Sequence, residues 1–460
     1  MNRPIRRVAA FLLAGMALLV VGATWHQAVV ADRYRAHPDN RRLALFVAGK
    51  ERGLISTVSG TVLAYSEQDP DSPRFYIRKY PAGEAFASVV GTAPSTGGLE
   101  EVYSEELRSR RDLSVSDLMA ALFGEDLRPR GLQITLDADL QQRAHEILAG
   151  RRGALAAVDP YTGEVLALVS SPEAASAERA AGGRYPLGSA FKIVTAAAAL
   201  DTETADAQSS FADGASWQIP EGSFAIVNPG NVPCGDAPQV SLLTSFVLSC
   251  NVVFAELALE MGPRVLETYA TAFGFGAEPQ FPLYSPVPLF GGEQSSDSAL
   301  VASAATGRLA MSSPLHMAAV AAAVANGGEM ISPRLTAVWT DADGETLEVG
   351  GSAPRVRAIS EETASEMARM MERVVTEGTG MAATVAGHRV AGKTGTGRDA
   401  QGRNHAWFVG FAPVEDPSIA LAVMIEPGGE FGESVTGGTA ASPVASEVLS
   451  YWLQRSQSDG

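Results

Sequence analysis

Residues 8–31 carry no formal charge, and Arg3, Arg6 and Arg7 stand just before them. As a helix, these 24 residues reach about 36 Å, enough to cross a hydrocarbon core of about 30 Å. Such a stretch leaves two options: it stays in a membrane as an anchor, or it is cut away after export. Asp32 and Arg33 close the run. The basic residues lie on its N-terminal side, which predicts an N-terminus kept inside and a remainder that is exported. Val29-Val30-Ala31 has the small-residue ending of a cleavage site. The run before it, however, exceeds the ~7–15 residues of a signal-peptide core. The reading favoured is an uncleaved signal-anchor over 1–31, with a single pass through the cell membrane and an extracytoplasmic remainder. No later window is long and apolar enough to span.

The remainder has the composition of a packed protein, since hydrophobic residues make up 46% of the chain and charged residues 19%. Acidic residues outnumber basic ones 52 to 35, a net charge of −17. That balance argues against nucleic acid as a partner, because phosphate binding needs a basic field. The six histidines are scattered, with no Cys-x-x-Cys pair and no His-Glu-x-x-His run, so no metal and no cofactor are expected. Cys234 and Cys250 lie 16 positions apart. Outside the cytoplasm they can pair, or they can pack as two small apolar thiols; both readings stay open.

Apolar periodicity places the elements. Residues 54–65 alternate around Ser59-Gly60 like a hairpin, 75–80 read as a strand, and the Gly/Ser/Thr/Pro-rich 91–98 as a loop. Leu132, Ile134 and Leu136 alternate as in a strand. Asp137 then suits a helix N-cap, ahead of the stripe Leu140, Ala144, Ile147 and Leu148. Residues 154–158 and 164–169 flank the turn-forming Asp159-Pro160-Tyr161-Thr162-Gly163. From 189 to about 326 the pattern is mostly helical, broken by loops such as 281–292. Strands follow at 389–396, 406–411 and 419–425, then a helix over 442–453. Two strands early and three late predict an α/β domain whose sheet is assembled from both ends. Short late connections favour antiparallel pairing.

Three short motifs carry candidate chemistry. In Ser189-Ala190-Phe191-Lys192, a strongly helical run follows Pro186 and Gly188, which puts Ser189 at a helix N-terminus. Lys192, three residues on, reaches the hydroxyl from the same face. A serine hydroxyl needs a base to take its proton, and lysine is a base only when neutral. Burial, the positive end of the helix dipole and a second cation all push its pKa down. Ser249-Cys250-Asn251 offers a hydroxyl that could relay a proton and an amide that could hold a peptide group. Lys393-Thr394-Gly395-Thr396 ends a predicted strand: a lysine and two hydroxyls suit a carboxylate, and Gly395 admits another backbone. An exposed strand there could pair with an extended peptide, and the N–H groups of Thr396 and Ser189 could form an oxyanion hole. A rival overlaps this motif. Residues 387–394 match the phosphate-binding loop G-x-x-x-x-G-K-[ST], but the glycines that follow break the helix such a loop needs.

Taken in order, the three motifs resemble the SxxK, SxN and KTG set of the penicillin-binding and β-lactamase superfamily. Arg52-Gly53-Leu54-Ile55 through Val62-Leu63-Ala64 is similar to the opening of the non-catalytic domain of class B penicillin-binding proteins. Thr135-Leu136-Asp137, Leu140-Gln141 and residues 158–164 resemble the start of their transpeptidase domain. Pro314-Leu315, Ala325-Asn326-Gly327-Gly328, Glu377-Gly378-Thr379-Gly380 and residues 406–411 fit as well. Length and a single anchor look closest to the short monofunctional penicillin-binding protein A type of actinobacteria.

The resemblance implies three parts: a tail and transmembrane anchor over 1–31, a smaller N-terminal non-catalytic pedestal over 32–130, and a penicillin-binding transpeptidase domain over 131–460. The last would be a serine β-lactamase/transpeptidase-like α/β fold, an antiparallel sheet flanked by helices. It implies that Ser189 attacks the D-Ala–D-Ala carbonyl of a stem peptide, and that Lys192 takes its proton. Ser249, oriented by Lys393, passes a proton to the leaving amine. Asn251 binds the substrate backbone, and Thr394, Gly395 and Thr396 line the site of the terminal carboxylate. Peptidoglycan stem peptides and β-lactams are the implied ligands. A glycan-polymerase membrane partner and division proteins are implied partners. Hydrolysis by the same acyl-enzyme, as in a D,D-carboxypeptidase or β-lactamase, and a non-catalytic division scaffold are the competing readings. Two departures stand out: Leu187 replaces a frequent second proline, and Gly307-Arg308 replaces a usual Gly-Gln ahead of a shortened segment.

Overall fold

A computed structural model describes residues 3–28, 30, 49–73, 75–93, 97–109, 122–123, 126–171, 179–219, 225–292, 297–351, 353–428, 430, 432 and 434–458. They fall into two compact units: Met1–Glu51 with Ser66–Arg78, and Arg52–Tyr65 with Lys79–Gly460. Asp32, Arg33 and part of the 91–98 loop lie outside the described residues.

The first unit holds helix α1 (Arg3–Ala28). It is apolar over a length that can cross a membrane, and none of that span is buried against protein. Phe11, Leu18 and Leu19 are each at least 73% exposed, a pattern that water does not favour and lipid does.

In the second unit, strand β1 (Ile55–Thr57) turns at Gly60 and pairs antiparallel with residues 62–64, which open β2 (Val62–Gln68), and this is the hairpin expected around Ser59-Gly60. Strand β3 (Gly131–Ile134) lies parallel to β1, with Ile55 opposite Leu132. A buried ion pair closes this region: Arg52 Nε donates to Glu100 at 2.7 Å, with both side chains almost fully enclosed.

Helix α2 (Ala138–Leu148) starts where Asp137 accepts a hydrogen bond from the N–H of Leu140 at 2.8 Å. Its stripe Leu140, Ala144, Ile147 and Leu148 is buried, as the helical spacing predicts. Strands β4 (Gly153–Val158) and β5 (Val165–Ser171) form the expected hairpin, with Asp159 Oδ1 accepting from the N–H groups of Tyr161 and Thr162.

The middle of the chain carries helices α3 (Lys192–Asp201), α4 (Leu242–Val247), α5 (Asn251–Met261) and α6 (Pro314–Ala325). It is less uniformly helical than the sequence suggests. Short paired strands at Ser210–Ala212, Ser216–Gln218, Ala225–Val227 and Gln239–Ser241 interrupt it. At three residues each, they are too short for alternation to declare them. Strand β6 (Thr336–Thr340) pairs with β3 and with β7 (Thr346–Val349), so a late segment joins the sheet begun by residues 55–64. Helix α7 (Glu361–Glu377) follows, N-capped by Ser360.

Strands β8 (Ala391–Arg398), β9 (Asn404–Ala412) and β10 (Ile419–Ile425) then complete a five-stranded sheet of order β8–β9–β10–β4–β5, antiparallel throughout. The expected sheet built from both ends is the observed one. Its inner strands β9, β10 and β4 are buried on both faces. Helix α6, buried along its length, packs on one face, and α8 (Ser442–Ser458) packs on the other. Strand β8 is an outer strand of the sheet, and it carries the lysine of the third motif.

Candidate active site

The first two motifs converge on β8, which carries the third. Residues Gly188–Phe191 form one 3₁₀ turn that runs into α3, so Ser189 stands at the entry of a helix and Lys192 opens its first α-turn. Gly188 takes a left-handed φ of 52°. A Cβ on it would lie 2.3 Å from the Thr396 carbonyl oxygen, so glycine is required where the turn crosses β8. From the other side, a Cβ on Gly307 would lie 1.8 Å from the Gly188 carbonyl oxygen. The departure Gly307-Arg308 therefore keeps the glycine on which the nucleophile turn rests. Leu187, the other departure, is fully buried in the core.

The second motif occupies the break between α4 and α5. Ser249 has φ 64°, the left-handed region that a side chain other than Asn or Asp seldom adopts. The break turns the Ser249 hydroxyl toward β8, where Lys393 Nζ donates to it at 2.9 Å. Lys393 also donates to the Thr394 carbonyl at 3.1 Å.

Lys192 Nζ has three oxygen neighbours: Ser189 Oγ at 3.1 Å, the Ser249 carbonyl at 2.8 Å and Asn251 Oδ1 at 2.8 Å. The Ser249 carbonyl can only accept. The Asn251 oxygen faces the amine because its Nδ2 is engaged with the Val227 carbonyl at 2.8 Å. A neutral amine has two N–H donors and one lone pair. Those two acceptors use the donors, and the lone pair is left for the Ser189 O–H.

Electrostatics favour that neutral form. Both lysines are fully buried. Burial holds Lys192 well below the ordinary lysine range, and the charge of Lys393 pushes it the same way. Burial also pushes Lys393 down to about 7. The Phe254 ring lies 5.3 Å from Lys192 Nζ and the Phe246 ring 5.5 Å from Lys393 Nζ, so the walls around both amines are apolar.

Side chains alternate along β8, so Thr394 and Thr396 project from the face opposite Lys393. Thr394 Oγ1 lies 2.5 Å from Thr379 Oγ1, and Thr396 Oγ1 accepts from the Gly437 N–H at 3.4 Å. A Cβ on Gly395 would sit 2.6 Å from the Leu187 carbonyl oxygen and 2.8 Å from the Ala190 nitrogen. The backbone that Gly395 admits is thus the nucleophile turn itself. The phosphate-loop reading of 387–394 is overturned here: Gly392, Lys393 and Thr394 lie inside a strand, and the lysine is enclosed against Ser249.

Residues 153–450 match the family described as the penicillin binding protein transpeptidase domain, and residues 52–133 match the penicillin binding protein A dimerisation domain. The chain belongs to the penicillin-binding protein transpeptidase family. It is similar to the peptidoglycan D,D-transpeptidase PbpA of Mycolicibacterium smegmatis, 32% identical over 99% of both chains. Its fold is shared with penicillin-binding protein A of Mycobacterium tuberculosis solved as a penicillin G acyl-enzyme complex. That structure is 30% identical and covers 88% of this chain and 100% of its own, at a TM-score of 0.77. The D,D-transpeptidase domain of a peptidoglycan glycosyltransferase from Eggerthella lenta aligns at a TM-score of 0.78, with 32% identity over 89% of this chain and 99% of that one.

In this penicillin-binding protein residues outside the three motifs also hold the site. Asn228 is buried, and its Oδ1 accepts from the N–H groups of Asn251 (2.7 Å) and Val252 (2.9 Å). Nothing in the local sequence singles it out. Trp407 is fully buried and donates from Nε1 to the Pro186 carbonyl at 2.8 Å, which ties β9 to the segment before Ser189. Cys234 and Cys250 are bonded, so the open question of the two thiols resolves as a disulfide through the middle residue of the second motif.

Proposed function

We propose that this chain is a peptidoglycan D,D-transpeptidase of cell-wall synthesis, anchored in the cell membrane by α1, with its catalytic domain outside. The contact that carries the reading is Lys192 Nζ to Ser189 Oγ at 3.1 Å, from an amine whose two N–H groups have fixed acceptors. Ser189 attacks the D-Ala–D-Ala carbonyl of a donor stem peptide, and Lys192 takes the hydroxyl proton. The N–H groups of Ser189 and Thr396 hold the developing oxyanion. Lys393 orients Ser249, whose hydroxyl delivers a proton to the departing D-alanine amine as the acyl-enzyme forms and regains one from Lys192, which is thereby neutral again. The second Nδ2 hydrogen of Asn251 serves a substrate carbonyl, and the hydroxyls of Thr394 and Thr396 receive the terminal carboxylate. Gly395 keeps β8 close to the nucleophile turn. The amine of a neighbouring stem peptide then attacks the acyl-enzyme and its proton passes through Lys192 to the departing Ser189 oxygen, which restores Ser189 and forms the cross-link. β-Lactams enter as mimics of the donor. The anchor puts the enzyme in one membrane with a glycan-polymerase partner and with division proteins, which complete the proposal.

Labelling with a fluorescent penicillin tests the acylation step. Wild type takes one covalent label per chain, and Ser189→Ala takes none. An unlabelled wild type, or a labelled Ser189→Ala, overturns the assignment. Incubation with a stem-peptide donor and an amine acceptor tests transfer, and a product mixture holding only the hydrolysed donor assigns the enzyme to hydrolysis instead.

A further inference from the structure

Helix α5 begins at Asn251 without a side-chain cap from its own N-cap residue, Cys250. The first turn of any helix presents N–H groups with no partner inside the helix. Here two of them, on Asn251 and Val252, are met by a side chain 23 positions upstream, the buried Asn228. Asn228 is itself fixed by a bond from its Nδ2 to the Gly214 carbonyl at 3.0 Å. Its neighbour Val227 accepts from the Asn251 side-chain amide at 2.8 Å. Two consecutive residues therefore grip Asn251 at its backbone and at its side chain. The same excursion of the chain returns through Cys234, bonded to Cys250.

The grip decides which end of the Asn251 amide meets Lys192. With Nδ2 committed to Val227, Oδ1 accepts from the amine, and this is one of the two bonds that spare the lone pair for Ser189. We propose that Asn228 is a positioning residue of the acylation step: from outside the three motifs it sets the backbone and amide orientation of Asn251, and through it the hydrogen-bonding of Lys192. The inference rests on Ser189 and Lys192 acting as nucleophile and base. The disulfide supplies an independent tether, so removal of the Asn228 side chain loosens the motif without releasing it.

The test measures the rate of acylation by a fluorescent penicillin from pH 5 to 10, together with thermal unfolding, for wild type, Asn228→Ala and Asn228→Asp. Asn228→Ala acylates about tenfold more slowly on its plateau, since a misplacement of about 1 Å costs about 10²-fold in rate and the disulfide holds the shift below that. Its acid limb moves to lower pH, because an amine without the Asn251 acceptor holds its proton less well. Asn228→Asp keeps an acceptor for both N–H groups and stays within about threefold of wild type on the plateau. An Asn228→Ala rate equal to wild type overturns the proposal. So does a slow Asn228→Ala whose acid limb has not moved, since that is loss of packing alone. If Asn228→Ala does not fold, Asn228→Asp decides: a folded protein slowed tenfold or more overturns the proposal. Unlabelled wild type would instead remove the underlying reading of Ser189.

Discussion

Gly395→Ala is the sharpest probe of how the nucleophile is held. The residue lies within strand β8 at an ordinary strand φ, so an alanine there suits the backbone and in open space would cost nothing. Its Cβ would meet the Leu187 carbonyl oxygen at 2.6 Å, the Ala190 nitrogen at 2.8 Å and the Ala190 Cβ at 2.9 Å. Ordinary contact begins near 3.4 Å, so the first of these is 0.8 Å too close. Both neighbours are backbone of the turn that carries Ser189, and neither can rotate away. The turn must retreat from β8 by most of that distance. It would carry Ser189 away from the Thr396 N–H and out of register with Lys393 and Ser249. Misplacement of a reacting atom by about 1 Å costs on the order of 10²-fold in rate, and overpacking costs about 1–3 kcal/mol of stability. The assay is the second-order rate of acylation by a fluorescent penicillin, with thermal unfolding in parallel. Gly351→Ala, where a Cβ meets nothing within 4 Å, serves as control and leaves both unchanged. Acylation by Gly395→Ala within threefold of wild type, at an unchanged melting temperature, would refute the claim that this glycine sets the distance.

Two further outcomes follow from the charges and the cross-link. Lys393 titrates near 7 in the fold against an ordinary 10.5, so the fold penalises its charged form. That penalty is complete below about pH 7 and fades as pH rises toward 10.5, so wild type gains stability across this window. Lys393→Met removes that gain; denaturant unfolding at several pH values should give a flatter slope over pH 7–10, and a slope equal to wild type contradicts the burial argument. The disulfide joins residues 16 apart, and closing a loop of that size is worth about 3 kcal/mol. Reduction by a thiol should lower the unfolding free energy by about that amount, and an unchanged value would show that the segment around Asn228 holds α5 without it.

Much of this is legible in the sequence. Helix α1, the hairpin of β4 and β5, the three late strands and the N-cap at Asp137 follow from apolar periodicity and turn chemistry, because each is decided by residues within one short window. The residue types of Ser189, Lys192, Ser249, Asn251 and Lys393 are also local facts, and their order along the chain singled out the site. What the sequence could not decide was set by contacts across long separations. Lys192 can act as a base only because residues 57 and 59 positions away accept hydrogen bonds from its N–H groups and an apolar ring lies over it. Strand β6 joins β3 only when the sheet forms, since strands of four and five residues carry too little pattern to declare a partner. Asn228 is the clearest case. Its local sequence reads as an ordinary turn, and its role exists only because folding brings it to the N-terminus of α5, where unpaired N–H groups require an acceptor. Composition and spacing thus determined which groups are available for the chemistry; burial and long-range hydrogen bonds decided their protonation and their aim.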